Sequence, residues 1–100
     1  MALEIKENKG LYRIYGKVTS QNIGALRIYF TTVLEAEEGI VISLEYLASM
    51  DAAAALFFEA LYKQAVQTNK VVTIIGAENR NIEEIMVLTK TNYILSSDRI

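Results

Sequence analysis

Most of the side chains that enzymes use for catalysis and metal binding are missing from this sequence. It contains no cysteine and no histidine, so a zinc site of the usual type, an iron–sulfur cluster and a histidine-ligated haem have no ligands. A triad with an imidazole base and a thiolate nucleophile are excluded for the same reason. Because no disulfide can form, the fold has to be stabilised by core packing. An enzyme would have to rely on carboxylates, lysine, tyrosine or a hard metal.

Acidic residues form two short clusters whose side chains could perform acid–base chemistry or bind Mg²⁺ or Ca²⁺. Glu35, Glu37 and Glu38 lie near the end of a predicted helix, and Glu83 and Glu84 lie in the first turn of another. Carboxylates at such positions are usually solvated, and no second group converges on either cluster. The glycines are too far apart to form a phosphate-binding loop. We therefore expect no enzyme activity, no metal and no cofactor.

Asp51 is the polar residue whose position is most informative, because it follows a predicted buried strand and directly precedes a predicted helix. An aspartate there can accept hydrogen bonds from free N–H groups of the first helical turn, and its charge complements the helix dipole. The carboxyl edge of an α/β sheet is also where such folds bind their ligands. The sequence therefore leaves two roles open for Asp51. The alanines at residues 52–55 likewise allow either close approach of a partner or tight packing on the sheet.

Charge and hydropathy narrow the range of partners. Ten basic and twelve acidic residues give a formal net charge of −2, and the basic residues are scattered along the chain. We expect no binding to nucleic acid, since this would require a continuous basic surface. The first residues contain no apolar signal core, and no apolar stretch approaches the roughly 18–20 residues of a membrane span. The sequence thus predicts a cytoplasmic protein without membrane insertion.

The spacing of apolar residues alternates between the period of a strand and that of a helix. Residues 3–5 and 12–18 alternate in polarity around a turn at residues 8–10, which predicts a β-hairpin whose second strand is the more buried. We expect Thr19 or Ser20 to cap the following helix and Gly39 to end it. The apolar run at residues 40–44 then predicts a strand covered on both faces.

The second half of the chain repeats this alternation. The pattern predicts a helix over residues 52–67, a buried strand over 71–75, a third helix with a capping box at 81–84, and a brief strand at 93–95. The predicted order is β-β-α-β-α-β-α-β. Because strands joined through helices run parallel by right-handed crossovers, we expect an α/β fold. It would have a mixed sheet of four to five strands and about three helices, in a single domain over residues 1–100.

The segment around Asp51 resembles the signature of STAS domains, a family named after sulfate transporters and anti-sigma-factor antagonists. In that signature two leucines and a methionine or isoleucine follow one another at intervals of three residues before the aspartate. Leu44, Leu47, Met50 and Asp51 match this register. Further positions that fit the family are Gly16, Asn69 with Lys70, and the apolar residues Ile82, Ile85 and Met86 of the third helix. The resemblance extends over essentially the whole chain and implies a STAS-like fold.

The chain departs from the STAS signature at the family's regulatory position. In antagonists that respond to a kinase, the serine directly after the aspartate is phosphorylated, and partner binding is lost. Here that position is Ala52, and the next two, commonly Ser or Thr and then Gly, are Ala53 and Ala54. Ala52 has no hydroxyl that could accept a phosphate with its charge of about −1.5 to −2. The resemblance therefore implies a domain that is permanently competent to bind or is regulated elsewhere.

These observations predict a non-catalytic protein–protein interaction module that resembles an anti-sigma-factor antagonist. Its expected partner is an anti-sigma factor or a related histidine-kinase-like ATPase. The expected contact residues are Thr19, Ser20, Leu47, Ser49, Met50, Asp51, Ala52 and Ala53. The hydroxyls among them are more simply explained as loop or cap groups than as modification sites. An alternative is a small STAS-like regulatory subunit of an ABC transport ATPase in phospholipid trafficking, and formation of a homodimer is left open.

Overall fold

Strands and helices alternate along the chain, which a computed structural model describes for residues 2–96. The strands in this part are β1 (Glu4–Asn8), β2 (Leu11–Val18), β3 (Gly39–Ser43), β4 (Leu47–Met50), β5 (Val71–Ile75) and β6 (Leu95–Ser96). The helices are α1 (Ile23–Ala36), α2 (Ala52–Gln67) and α3 (Arg80–Leu88), and a 3₁₀ turn (Asn92–Ile94) precedes β6. The predicted α/β class and the predicted order of elements are confirmed. The structure has one further strand, β4, which lies between β3 and α2 and was not predicted.

All the strands described above belong to one mixed sheet. β1 pairs antiparallel with β2, and β2, β3, β5 and β6 follow one another in parallel pairs. Each parallel step moves in the same direction across the sheet, so right-handed crossovers place α1, α2 and α3 on one face. We call this the helical face; Tyr12, Ile14 and Val18 of β2 point to it. The open face is the opposite one, to which Arg13 and Tyr15 point.

The hydrophobic core lies between the helical face and the helices. Leu26 and Phe30 of α1 and Phe58 of α2 pack there with Ile14 and Ile42 of the sheet, and all are almost completely buried. The apolar residues recur every three or four positions in the helices and alternate in β2, which is why these elements could be recognised. β1 is largely exposed while β2 is half buried, as the sequence predicts.

β2 pairs with two different strands along the same edge. Its residues 11–13 pair with β3, and its end, from Gly16 to Val18, pairs with β4. The register shifts between Gly16 and Lys17, where β4 contributes one extra residue, Ala48, and such a bulge bends the strand that carries it. Gly16 has a φ of +95°, and a Cβ atom there would collide with the backbone oxygen of Ala2. Only glycine can occupy this position without strain.

The ends of α1 and the cap of α3 differ from the predicted ones, whereas α2 has the predicted bounds. The residue that precedes α1 is Asn22, not Thr19 or Ser20. Its side chain accepts a hydrogen bond from the N–H of Thr19 and does not cap the helix. The helix ends at Ala36, and Gly39 is already the first residue of β3. α3 is capped by Asn79, not Asn81, because the side chain of Asn79 accepts a hydrogen bond from the backbone N–H of Asn81. Within residues 2–96, none of the helices has the length and apolar character needed to cross a membrane.

Candidate partner-binding site

Asp51 joins two segments that meet at the carboxyl edge of the sheet. Its Oδ1 accepts a hydrogen bond from the N–H of Ala54 at 2.9 Å, which caps α2. Its Oδ2 accepts a hydrogen bond from the N–H of Ser20, also at 2.9 Å and from 31 residues away along the chain. Its own N–H donates to the carbonyl oxygen of Val18 at 3.2 Å. Asp51 is therefore a helix cap that also holds the loop before α1 against the start of α2.

The loop between β2 and α1 is ordered by side chains of its own. The Oδ1 of Asn22 accepts a hydrogen bond from the N–H of Thr19 at 2.8 Å, and its Nδ2 donates to the carbonyl of Lys17 at 2.9 Å. The hydroxyl of Thr19 accepts a bond from the N–H of Gln21 at 3.2 Å. Together with the bond from Ser20 to Asp51, these contacts hold the loop in one conformation. A preordered loop loses little conformational entropy when it binds a partner.

The alanines at the start of α2 divide into two pairs with different surroundings. Ala54 and Ala55 are completely buried and pack on the sheet. Ala52 is exposed and Ala53 half buried, so both reach the surface. One turn further along, Leu56 is 50% exposed. The second pair therefore packs closely on the sheet, and the first pair leaves a small-residue surface beside an exposed leucine.

Two of the predicted contact residues are core residues, and a third lies on the other face. Leu47 and Met50 are only 1% and 8% exposed and belong to the hydrophobic core. Their side chains cannot contact a partner, which narrows the surface predicted from the sequence. Ser49 pairs with Lys17 in a register that directs both to the open face. The residues that the fold does bring together are Thr19, Ser20, Asp51, Ala52 and Ala53, which we call the α2-start surface.

Asn79 is a structurally important residue that the sequence interpretation missed. Its side chain is buried, and its Nδ2 donates to the carbonyl oxygens of Leu44 at 2.8 Å and Leu47 at 3.0 Å. It thereby holds the segment between β3 and β4, and through β4 the position of Asp51. The sequence signal is the helix cap, which the capping-box pattern placed two residues too late, at Asn81. Nothing local in the sequence indicates the two distant carbonyl groups that Asn79 bonds.

The site contains no arrangement of side chains typical of a metal centre. Within residues 2–96, no three acidic side chains come close enough together to hold a metal ion. The carboxylate of Asp51 is committed to two backbone N–H groups. What the site offers to another molecule is a rigid, mostly small-residue surface at the start of a helix.

The fold is an α/β sheet with its helices on one face and an ordered loop–helix junction at the carboxyl edge. The family model of the STAS domain matches residues 1–95, so this chain belongs to the STAS domain family. A search of curated proteins found no match.

Solved structures with the same fold include two anti-sigma factor antagonists. The structure of SpoIIAA in its unphosphorylated form is similar with a TM-score of 0.75 and 11% identity, over 98% of this chain and 89% of that one. An anti-sigma factor antagonist from Mycobacterium paratuberculosis is similar with a TM-score of 0.62 and 15% identity, over 94% and 81%. At these identities the likeness shows the fold alone. It confirms the STAS-like architecture that the sequence predicts.

Proposed function

We propose that this chain is a non-catalytic interaction module that binds an anti-sigma factor or a related histidine-kinase-like ATPase through the α2-start surface. The observation that carries the proposal is the double hydrogen bond of Asp51, which makes the loop before α1 and the start of α2 one rigid unit. The similar solved structures are named as anti-sigma factor antagonists, which supports this class of partner. Binding without catalysis also agrees with the absence of histidine and cysteine.

The contact would combine close approach with an apolar anchor. Ala52 and Ala53 have almost no side-chain entropy to lose and allow a partner to approach the backbone of α2. Leu56, half exposed on the same helix, supplies apolar area that a partner can bury. The carboxylate of Asp51 adds negative charge at the rim, where it favours a partner with a basic group.

Binding would not be regulated by phosphorylation at position 52. Ala52 lacks a hydroxyl, and no phosphate can be attached to it. In the kinase-responsive relatives that the sequence resembles, phosphate at this position ends partner binding. We therefore expect this domain to remain bound whether or not the partner is an active kinase.

NMR chemical-shift mapping tests this surface directly. ¹⁵N-labelled protein is titrated with the purified anti-sigma factor of the source cell, with and without ATP. We expect saturable shifts of the backbone amides of Ser20, Ala52 and Ala53, with unchanged amides at the far ends of α1 and α2. Shifts confined to other surfaces would refute the assignment of the α2-start surface, and a complete lack of shifts at saturating partner would refute the class of partner.

A further inference from the structure

The open face carries an aromatic pair that contributes nothing to the hydrophobic core. The rings of Tyr15 and Tyr46 stack with their centroids 5.2 Å apart and an angle of 19° between their planes. Tyr46 lies in the segment between β3 and β4 and is 52% exposed. The Nζ of Lys6 lies 5.3 Å from the centre of the Tyr15 ring, within the range of a cation–π contact.

A pair of like charges lies beside these rings. Lys6 and Arg13 are directly opposite each other in the antiparallel pairing of β1 with β2, so both point to the open face. Like charges in this arrangement destabilise a sheet. The 3.9 Å ion pair between Lys6 and Glu4 joins two largely exposed side chains and compensates little. Within residues 2–96, no carboxylate lies within ion-pair distance of Arg13.

The fold leaves these residues accessible. The parallel crossovers place α1, α2 and α3 on the helical face, and the helices therefore cannot cover Tyr15 or Arg13. Lys17 continues the same row of outward-pointing residues on β2 and is exposed. Among the described residues of β1 and β2 that point to the open face, Lys6, Arg13 and Lys17 are cations and Glu4 is the counter-charge beside Lys6, although the whole chain has a net charge of −2.

We propose that Lys6, Arg13, Tyr15 and Tyr46 form a second docking surface that binds an acidic segment of a partner protein. Carboxylates would relieve the repulsion between Lys6 and Arg13, and an apolar or aromatic side chain would pack on the exposed ring of Tyr46. A second copy of this chain fits poorly, because a two-fold axis would bring the same cations together. Nucleic acid fits less well than an acidic peptide, since the patch is short and the chain as a whole is acidic.

This surface is separate from the α2-start surface, because its residues point to the open face, whereas the α2-start surface lies at the carboxyl edge of the sheet, where α2 begins. The double variant Lys6→Gln with Arg13→Gln removes both opposed cations. The matched control, Lys63→Gln with Arg80→Gln, removes two exposed cations that lie on α2 and α3. All these side chains are on the surface, and the variants are expected to fold.

The test is a titration with an eight-residue poly-glutamate peptide at low salt, followed by amide shifts and by tyrosine fluorescence, which no tryptophan obscures. We expect saturable binding that shifts the amides of Arg13, Tyr15 and Tyr46. The double variant should bind about five- to tenfold more weakly, and the control variant should bind like the wild type.

Four results would overturn the proposal. The first is a lack of saturable binding at millimolar peptide, and the second is equal affinity of the double variant and the wild type for the peptide. The third is tighter binding of an eight-nucleotide oligothymidylate than of the peptide. The fourth is a homodimer in sedimentation equilibrium that the double variant alters. The first two results would show that these residues do not form a docking surface. The third would show that the surface binds nucleic acid, and the fourth that it binds a second copy of the chain.

Discussion

The two carboxylate oxygens of Asp51 accept separate hydrogen bonds. Oδ1 caps α2, and Oδ2 binds the loop that contains Ser20. Hydrogen bonds to a charged acceptor contribute about 1.5–3 kcal/mol each, and a helix cap about 1 kcal/mol. The side chain therefore matters for stability as well as for the shape of the proposed binding surface. A change at Asp51 that abolishes binding cannot on its own identify a contact residue, whereas a change at exposed Ala52 can.

Asp51→Asn removes one of these two hydrogen bonds and retains the other. The amide keeps one oxygen for the N–H of Ala54, but its NH₂ group cannot accept a bond from the N–H of Ser20. We expect a loss of about 1–2 kcal/mol in the free energy of unfolding, measured by urea denaturation. Ser20→Ala retains the backbone donor and should stay within about 0.5 kcal/mol of the wild type. Equal stabilities of Asp51→Asn and the wild type would contradict the described role of Oδ2.

Asn79 offers a second test at the level of a single side chain. Asn79→Ala leaves the carbonyls of Leu44 and Leu47 without their buried donor, and we expect a cost of about 2–3 kcal/mol in unfolding free energy. Asn81→Ala is the control, because its Nδ2 reaches the carbonyl of Leu47 only at 3.4 Å and the residue is exposed. Hydrogen exchange in β4 should accelerate in the first variant and not in the second. The opposite ranking would show that Asn81 holds this segment.

Among the elements, β4 shows best what the sequence could and could not reveal. α2 and β5 follow from their apolar spacing, and both were predicted with the bounds that the structure has. β4 has its buried residues, Leu47 and Met50, three positions apart, because a bulge interrupts the alternation. Such spacing does not predict a strand, and a segment of four residues is too short to predict a helix. The position of Asp51 before α2 could be predicted, but its bond to Ser20 depends on how β4 pairs with the end of β2.

Gly16 and Gly24 should respond in opposite directions to the same substitution. Gly16→Ala introduces a Cβ atom against the backbone of Ala2 at a φ of +95° and should destabilise the fold by more than about 1 kcal/mol. Gly24 lies in α1 with no neighbour within 4 Å of an added Cβ atom, so Gly24→Ala should stabilise by about 0.5 kcal/mol. Thermal unfolding of both variants provides the measurement. A neutral Gly16→Ala would show that the backbone at this position does not require a positive φ.

For the whole molecule, the arrangement of all helices on one face follows from strand order, and strand order depends on pairing between distant residues. The sequence indicated the α/β class, and the parallel crossovers followed from it, but the aromatic pair on the open face could not be predicted. Tyr15 and Tyr46 are far apart in sequence, and they meet only because the segment after β3 returns to β2. The same holds for Tyr12 and Tyr29, which meet between the sheet and α1.

Stability of the whole domain should fall at alkaline pH. Burial raises the pKa of Tyr12 above its ordinary value of 10.0, and Glu7 adds to the rise. The pKa of Tyr29 is raised by the same causes in the same order. The folded state therefore retains these phenol protons after the unfolded state has lost them, and stability decreases once the pH exceeds the unfolded pKa. Urea midpoints between pH 8 and about 11 should decline less in Tyr12→Phe than in the wild type; parallel declines would contradict this.

If the start of α2 is the binding surface, a charged side chain at position 52 must weaken binding, and calorimetry of Ala52→Glu with the anti-sigma factor measures this. A glutamate in the first turn suits the helix dipole, so the variant should fold as well as the wild type. Ala77→Glu, at an exposed alanine before α3, is the matched control. We expect Ala52→Glu to weaken binding at least about tenfold, or about 1.4 kcal/mol, with the control unchanged. Equal affinities of Ala52→Glu and the wild type would show that the partner does not bind at the start of α2.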